Sequence, residues 1–165
     1  MTATLVKSKL KTFFGGIHPK EDGKALTSSK KEVSTLLPKI AYLFMSQHIG
    51  APAKPNVKKG DIVKKGQLIG EAQGFVSANV HASVSGKVVD VLPWPHPVTG
   101  IKSPAVIIEN AGEDTWIEGA NESSDTDQIS LDEIKQRIQS AGIVGLGGAT
   151  FPTHVKLTPP KDKVI

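Results

Sequence analysis

The residues best suited to chemistry lie late in the chain, in Gly145-Leu146-Gly147-Gly148-Ala149-Thr150-Phe151-Pro152-Thr153. Closely spaced glycines let main-chain N–H groups approach an anion with no Cβ in the way, the physical basis of phosphate cradles. Glycine count alone is weak evidence, and a turn after a helix explains it too. The three-glycine dinucleotide fingerprint is absent, and no Lys-Ser/Thr pair closes the loop as in a P-loop. Phe151-Pro152-Thr153 adds a rigid aromatic turn, and Lys156 follows as a candidate phosphate-facing cation. The 5 histidines (His18, His48, His81, His96 and His154) show no His-x-x-x-His spacing and no recurring acidic companion. A zinc site is therefore not expected. With 0 cysteines, thiolate nucleophiles, disulfides and thiolate-held iron–sulfur clusters are excluded from this stretch.

A helix must deliver the glycine loop. Ser130 with Glu133 forms a capping-box pattern, Leu131, Ile134, Ile138 and Ala141 recur along one face, and Gly142 marks the stop. Before it, residues 111–129 are acidic and polar apart from Trp116 and Ile117, and read as a linker.

The most regular part runs from Val57 to Val91. Val57-Lys-Lys-Gly60 recurs six residues later as Val63-Lys-Lys-Gly66, as two tight turns would between the short strands Asp61–Val63 and Gln67–Gly70. Ala78 to Val84 alternates small or apolar with polar residues, the period of a half-buried strand. Ser85-Gly86 turns the chain into Lys87–Val91. The Pro-rich stretch Pro93-Trp94-Pro95-His96-Pro97 reads as a loop before the strand Ala105–Ile108, with Trp94 either a contact for another subunit or a lid on the barrel. Upstream, the apolar run Ile40–Met45 reads as a buried strand, although periodicity leaves a helical turn open. Phe13-Phe14-Gly15-Gly16-Ile17-His18-Pro19 breaks an extended N-terminal arm, and 20–31 is polar.

The 57–91 pattern resembles the biotinyl/lipoyl-type barrel-sandwich fold, in which a lysine at a hairpin tip carries the cofactor. Here that tip falls at Gly74 or Phe75, which cannot be acylated, and Lys65 and Lys87 would lie well down the strands. A scaffold or docking role suits this β-domain better.

Composition agrees. Across 165 residues, 16 Gly and 11 Pro imply many turns, and the 5% of aromatic residues leaves a core of Val, Ile, Leu and Ala. The net charge of +4 comes almost wholly from lysine, with Arg137 the sole arginine, so nucleic acid is not an expected partner. No apolar run approaches the roughly 20 residues that span a bilayer, and the basic N-terminus lacks the apolar core of a secretory signal. Any membrane association runs through a partner.

Residues 145–157, Gly-Leu-Gly-Gly-Ala-Thr-Phe-Pro-Thr-His-Val-Lys-Leu, resemble the FMN loop of the flavin subunit of respiratory complex I. Gly-Gly-Ile-His-Pro at 15–19, Gln-His-Ile-Gly-Ala-Pro at 47–52 and Val-His-Ala-Ser-Val-Ser-Gly at 80–86 narrow the likeness to the C subunits of Rnf-type ion-translocating ferredoxin:NAD⁺ oxidoreductases. Turn packing or a side-chain bond to the backbone explains His18 and His48 in these segments as well as function does. The resemblance implies a mainly β chain: a barrel-sandwich hybrid domain followed by the start of an α/β flavin-binding domain. It divides as an extended arm at 1–30, the barrel at 31–110, a linker at 111–129 and a truncated FMN/NADH-binding domain at 130–165. It further implies that the backbone of Gly145, Gly147, Gly148 and Ala149 contacts FMN, that Phe151 positions the flavin or nicotinamide, and that Lys156 meets the phosphate. Leu146 stands where complex I relatives carry Arg, removing one anion contact. NADH would pass a hydride to FMN, and electrons would leave singly for 4Fe-4S clusters held by cysteines beyond residue 165. No acid or base is required from this stretch. The expected protein is a peripheral subunit at the cytoplasmic face of the membrane, partnered by other subunits of the electron-transport complex. Because 159–165 reads as the approach to an unfinished strand, the chain is expected to be a fragment, inactive alone. The alternative is a non-catalytic barrel-sandwich docking module.

Overall fold

The computed structural model describes residues 25–29, 36–113, 115–120 and 129–159. The chain divides into two units, Met1–Leu36 and Leu37–Ile165. In the first, one helical turn, α1 (Ala25–Ser28), falls within the arm read as extended; the Phe13–Pro19 break lies outside the described residues. The 159–165 strand approach lies outside them beyond Pro159.

The second unit is built of short strands in two sheets. One has the order β1-β7-β6-β3, from β1 (Ile40–Phe44), β7 (Lys102–Asn110), β6 (Gly86–Pro95) and β3 (Ile62–Val63). The other has the order β2-β4-β5, from β2 (Lys54–Pro55), β4 (Leu68–Glu71) and β5 (Val80–His81). All paired strands are antiparallel. Met45, Val63, Ile69, Val80, Ala82, Val84, Val88, Val106 and Ile108 pack between the sheets as one aliphatic core. The sequence is read correctly at Ile40–Phe44, a strand, and at 78–84. There Ala78, Val80, Ala82 and Val84 are buried, while Asn79, His81 and Ser83 are not.

The six-residue repeat becomes a repeated structure. At 58–61 the Asp61 amide donates to the Lys58 carbonyl at 3.1 Å, and the Asp61 carboxylate accepts from the Lys58 amide at 2.9 Å. At 64–67, Gln67 does both for Lys64, each at 3.0 Å. The third residue is glycine each time, at φ +96° for Gly60 and +83° for Gly66, where a side chain would be strained. Each turn joins the core the same way: Gly60 and Asp61 bond Val88, and Gly66 and Gln67 bond Ala82.

One local reading is corrected. Pro93-Trp94-Pro95 is not a loop but the end of β6, paired with β7 as Pro93↔Pro104, Trp94↔Ser103 and Pro95↔Lys102. The His96 amide donates to the Ile101 carbonyl at 3.0 Å, so alternate pairs back along the hairpin are the bonded ones. Pro93, Pro95 and Pro104 fall on the other pairs, where no N–H is asked to face the partner. The Pro104 carbonyl instead accepts from Met45 beside β1. Past Lys87, β6 has no strand partner on its other side among the described residues, so its prolines sit on an edge there. Trp94 lies on this sheet, its ring 5.0 Å from that of Tyr42.

Part of the stretch read as a linker packs on the barrel. The Lys65 amide donates to Thr115 and the Ile117 amide to Lys65, and the Lys65 ammonium lies 4.8 Å from the centre of the Trp116 ring. Beyond it, α2 (Leu131–Ser140) is the expected helix, with Ser130 Oγ accepting from the Glu133 amide at 3.2 Å. The second half of the capping box does not form: the Glu133 carboxylate turns to Arg137, 2.6 Å away. The helix ends as expected at Gly142, at φ +65°, with the Ile143 amide reaching back to Ile138. Among the described residues its apolar face is only partly covered, with Ile134 and Ile138 half-buried and Leu131 76% exposed.

Candidate functional site

After α2 the chain forms a small lariat. Val144 bridges Pro152, the Gly145 amide donates to the Phe151 carbonyl at 3.0 Å, and the Thr153 amide donates to Ile143. These bonds close a neck around residues 146–150, inside which the Thr150 amide bonds the Gly147 carbonyl. The short helix α3 (Thr153–Lys156) follows and places Lys156 back beside the neck.

Of the residues singled out for cofactor binding, Gly147, Gly148 and Ala149 form the tip of the lariat. Among the described residues their amides donate to no other group. A Cβ built on Gly147 or Gly148 meets nothing within 4 Å, and neither residue has the positive φ that demands glycine. Neither backbone angle nor crowding from the chain explains glycine there. An external group brought against bare amides would explain it. The residues therefore fit a phosphate-bearing ligand at the tip.

Gly145 stands at the neck of the lariat rather than at its tip, its amide bonded to Phe151 and its missing side chain leaving room for Lys156. The Lys156 ammonium lies 3.3 Å from where a Gly145 Cβ would stand. The lysine thus stands at the neck of the loop whose tip carries the open amides. Phe151 is half-buried and gives its carbonyl to the neck, and Leu146 is fully exposed.

Sequence reasoning missed what holds this loop. The Ile49 amide donates to the Ala149 carbonyl at 3.3 Å, and the buried His154 donates from Nε2 to the Phe75 carbonyl at 3.1 Å. That carbonyl can only accept, so Nε2 carries a proton, and Nδ1 is buried with no partner among the described residues. Phe75 is one of the two hairpin-tip positions, with Gly74, where a carrier domain would hold its cofactor. Asn79 donates to the Ser140 carbonyl at 3.1 Å, and a Cβ on Gly142 would overlap the Asn79 carbonyl. His48 proves structural: its Nε2 lies 3.1 Å from the Ala78 amide nitrogen and 3.2 Å from the Ala78 carbonyl, and its Nδ1 lies 3.1 Å from the Ile49 carbonyl. Nothing marks these partners in sequence, because most are main-chain atoms.

A cleft of about 210 Å³ lies where barrel and lariat neck meet, lined by Leu43, His48, Asn79, His81, Gly142 and Val144. A larger one, about 410 Å³, is lined by Ile62, Val63, Ser85, Gly86, Lys87 and Glu109 and includes no loop residue. Burial lowers the His81 pKa from its ordinary 6.5, because the barrel disfavours the imidazolium. The unfolded chain then binds a proton first as pH falls, so this contribution is complete above about 6.5 and fades as pH drops through and below that value. In urea unfolding, the loss of stability between pH 7 and pH 5 is expected to be smaller in His81→Gln than in the native sequence. Equal losses would remove His81 from the account.

Two antiparallel sheets closing over an aliphatic core define a barrel-sandwich hybrid, here with a glycine lariat bonded to it. The family model described as the RnfC barrel sandwich hybrid domain matches residues 11–113. The chain belongs to this family. It is 51% identical over 156 residues to the C subunit of the proton-translocating ferredoxin:NAD(+) oxidoreductase complex of Clostridium ljungdahlii, covering 94% of this chain and 34% of that protein. Against the C subunit of the Na(+)-translocating ferredoxin:NAD(+) oxidoreductase complex of Acetobacterium woodii it is 48% identical over 159 residues, covering 93% and 34%. Against the C subunit of the ion-translocating oxidoreductase complex of Rhodobacter capsulatus it is 44% identical over 144 residues, covering 87% and 27%. The chain thus spans about a third or less of the length of these relatives.

Proposed function

We propose that this chain is the N-terminal part of the C subunit of an ion-translocating ferredoxin:NAD⁺ oxidoreductase, comprising the barrel-sandwich scaffold and the first segment of an FMN- and NADH-binding domain. The observation that carries the reading is the lariat tip, where the amides of Gly147, Gly148 and Ala149, without a partner among the described residues, stand open to an incoming group. The tip amides and the Lys156 ammonium would hold the FMN phosphate, and half-buried Phe151 would border the flavin or nicotinamide. When bound, FMN would supply the exchange between hydride transfer and single-electron transfer. The remaining cofactors, 4Fe-4S clusters, would belong to sequence beyond residue 165.

The relatives are named as members of multi-subunit complexes, which supports the same placement for this chain. No helix among the described residues is long and apolar enough to cross a membrane. The proposed location is peripheral, at the cytoplasmic face, through contacts with other subunits.

The test is flavin titration of the complete subunit by fluorescence quenching, with FMN and riboflavin in parallel. The native protein is expected to prefer FMN. Lys156→Gln should weaken FMN binding about tenfold, the loss of one charge-assisted contact, with riboflavin affinity unchanged. If neither flavin binds, the redox reading fails and a docking module without cofactor takes its place.

A further inference from the structure

We infer that the barrel's hairpin tip is the seat of the flavin loop, and that His154 is the positioning residue that locks the loop to it. The inference rests on the cofactor reading above but concerns a different part of the molecule. The tip is braced before the loop arrives. Ser77 is fully buried, donates to the Ala51 carbonyl at 2.8 Å and accepts from the Gln73 amide at 2.9 Å. Ala51 donates to the Val76 carbonyl, and Asn79 Oδ1 accepts from Ala72. No swinging arm remains. At the tip, where a carrier lysine would fall at Gly74 or Phe75, the Phe75 carbonyl is bonded to His154 and the Phe75 ring is edge-on to the imidazole at 6.3 Å and 88°.

The loop needs such a seat. Among the described residues, Thr150 is the non-glycine residue with positive φ, +43°, a conformation that persists where surroundings over-determine it. On one side of Thr150 the Ala149 carbonyl is held by Ile49, and on the other lie the neck, the buried Pro152 and His154. The tip amides, bonded to nothing among the described residues, owe their placement to these flanking holds. The barrel would therefore set FMN affinity without touching the flavin.

The experiment uses the complete subunit with His154→Leu, which keeps bulk but loses the N–H, His154→Gln, which restores a donor of similar reach, and Phe75→Ala at an exposed position. Two readouts are taken: amide hydrogen exchange across 146–151 without ligand, and FMN and riboflavin titrations. His154→Leu is expected to speed exchange at the loop and weaken FMN binding about tenfold, with less effect on riboflavin. His154→Gln should recover most of both, and Phe75→Ala should shift both in the direction of His154→Leu. Unchanged loop exchange in His154→Leu overturns the inference. So does failure of glutamine to rescue. Should His154→Leu not fold, Phe75→Ala decides, and native-like exchange and FMN affinity in that variant overturn the seat. If the native subunit binds no FMN, the cofactor reading falls while loop exchange still judges the seat.

Discussion

Replacing Gly148 with valine is expected to weaken FMN binding to the complete subunit about a hundredfold while leaving its thermal unfolding midpoint nearly unmoved. The separation of the two effects is the informative part. Nothing lies within 4 Å of a Cβ at Gly148, and its φ lies outside the left-handed region, so a side chain meets no internal obstacle. Substitutions at such surface positions usually stay within about 0.5 kcal/mol of neutral. A ligand phosphate against the tip amides would instead meet the valine methyls directly. Losing two charge-assisted bonds at about 1.5 kcal/mol each corresponds to roughly two powers of ten in affinity. Flavin fluorescence titration reads the first effect and a thermal melt the second. Unchanged affinity would place the phosphate elsewhere, and a midpoint several degrees lower would mean that the space is not open.

Gly86→Ala should behave in the opposite way, destabilising the barrel by about 3 kcal/mol or more. A Cβ on Gly86 would overlap the Glu109 carbonyl oxygen and lie 3.1 Å from the Ala111 amide nitrogen. Neither neighbour can yield. Gly86 is paired with Val63 on β3 and with Asn110 on β7, so moving it would disturb two ladders at once. With a urea dependence of roughly 1–3 kcal/mol per molar, the unfolding midpoint should fall by about 1 M or more. Gly60→Ala is the internal comparison: a Cβ there meets nothing within 4 Å, and only φ +96° opposes it. Its cost should be about 1–2 kcal/mol. If the two variants lose equal stability, crowding between β6 and β7 is not the source.

The parts legible in sequence are those whose cause is local. The six-residue repeat specified two equivalent turns because donor, acceptor and glycine all lie within four consecutive residues. Alternation from Ala78 to Val84 specified which face is buried, since strand side chains point to opposite faces in turn. Ser130 and Gly142 bounded α2 for the same reason. Residue spacing was enough to put the hairpin tip at Gly74 and Phe75. The Pro93–Pro95 strand was hidden because proline is a poor strand former in general, and its tolerance here depends on which carbonyls β7 offers and on an open edge beside β6.

For the candidate site the division is similar. Sequence by itself determined the glycine cluster, the aromatic turn and the lysine, hence a loop chemically able to meet a phosphate. Only the tertiary structure decided that the Gly145 amide is used internally, that the next amides along the tip stay open, and that the Lys156 ammonium returns to the neck. It also recruited Ile49, Phe75 and His154 as supports. The physical reason is that a main-chain amide carries no mark of its partner. Whether it faces a ligand or its own chain is settled by which carbonyl the folded barrel brings within about 3 Å.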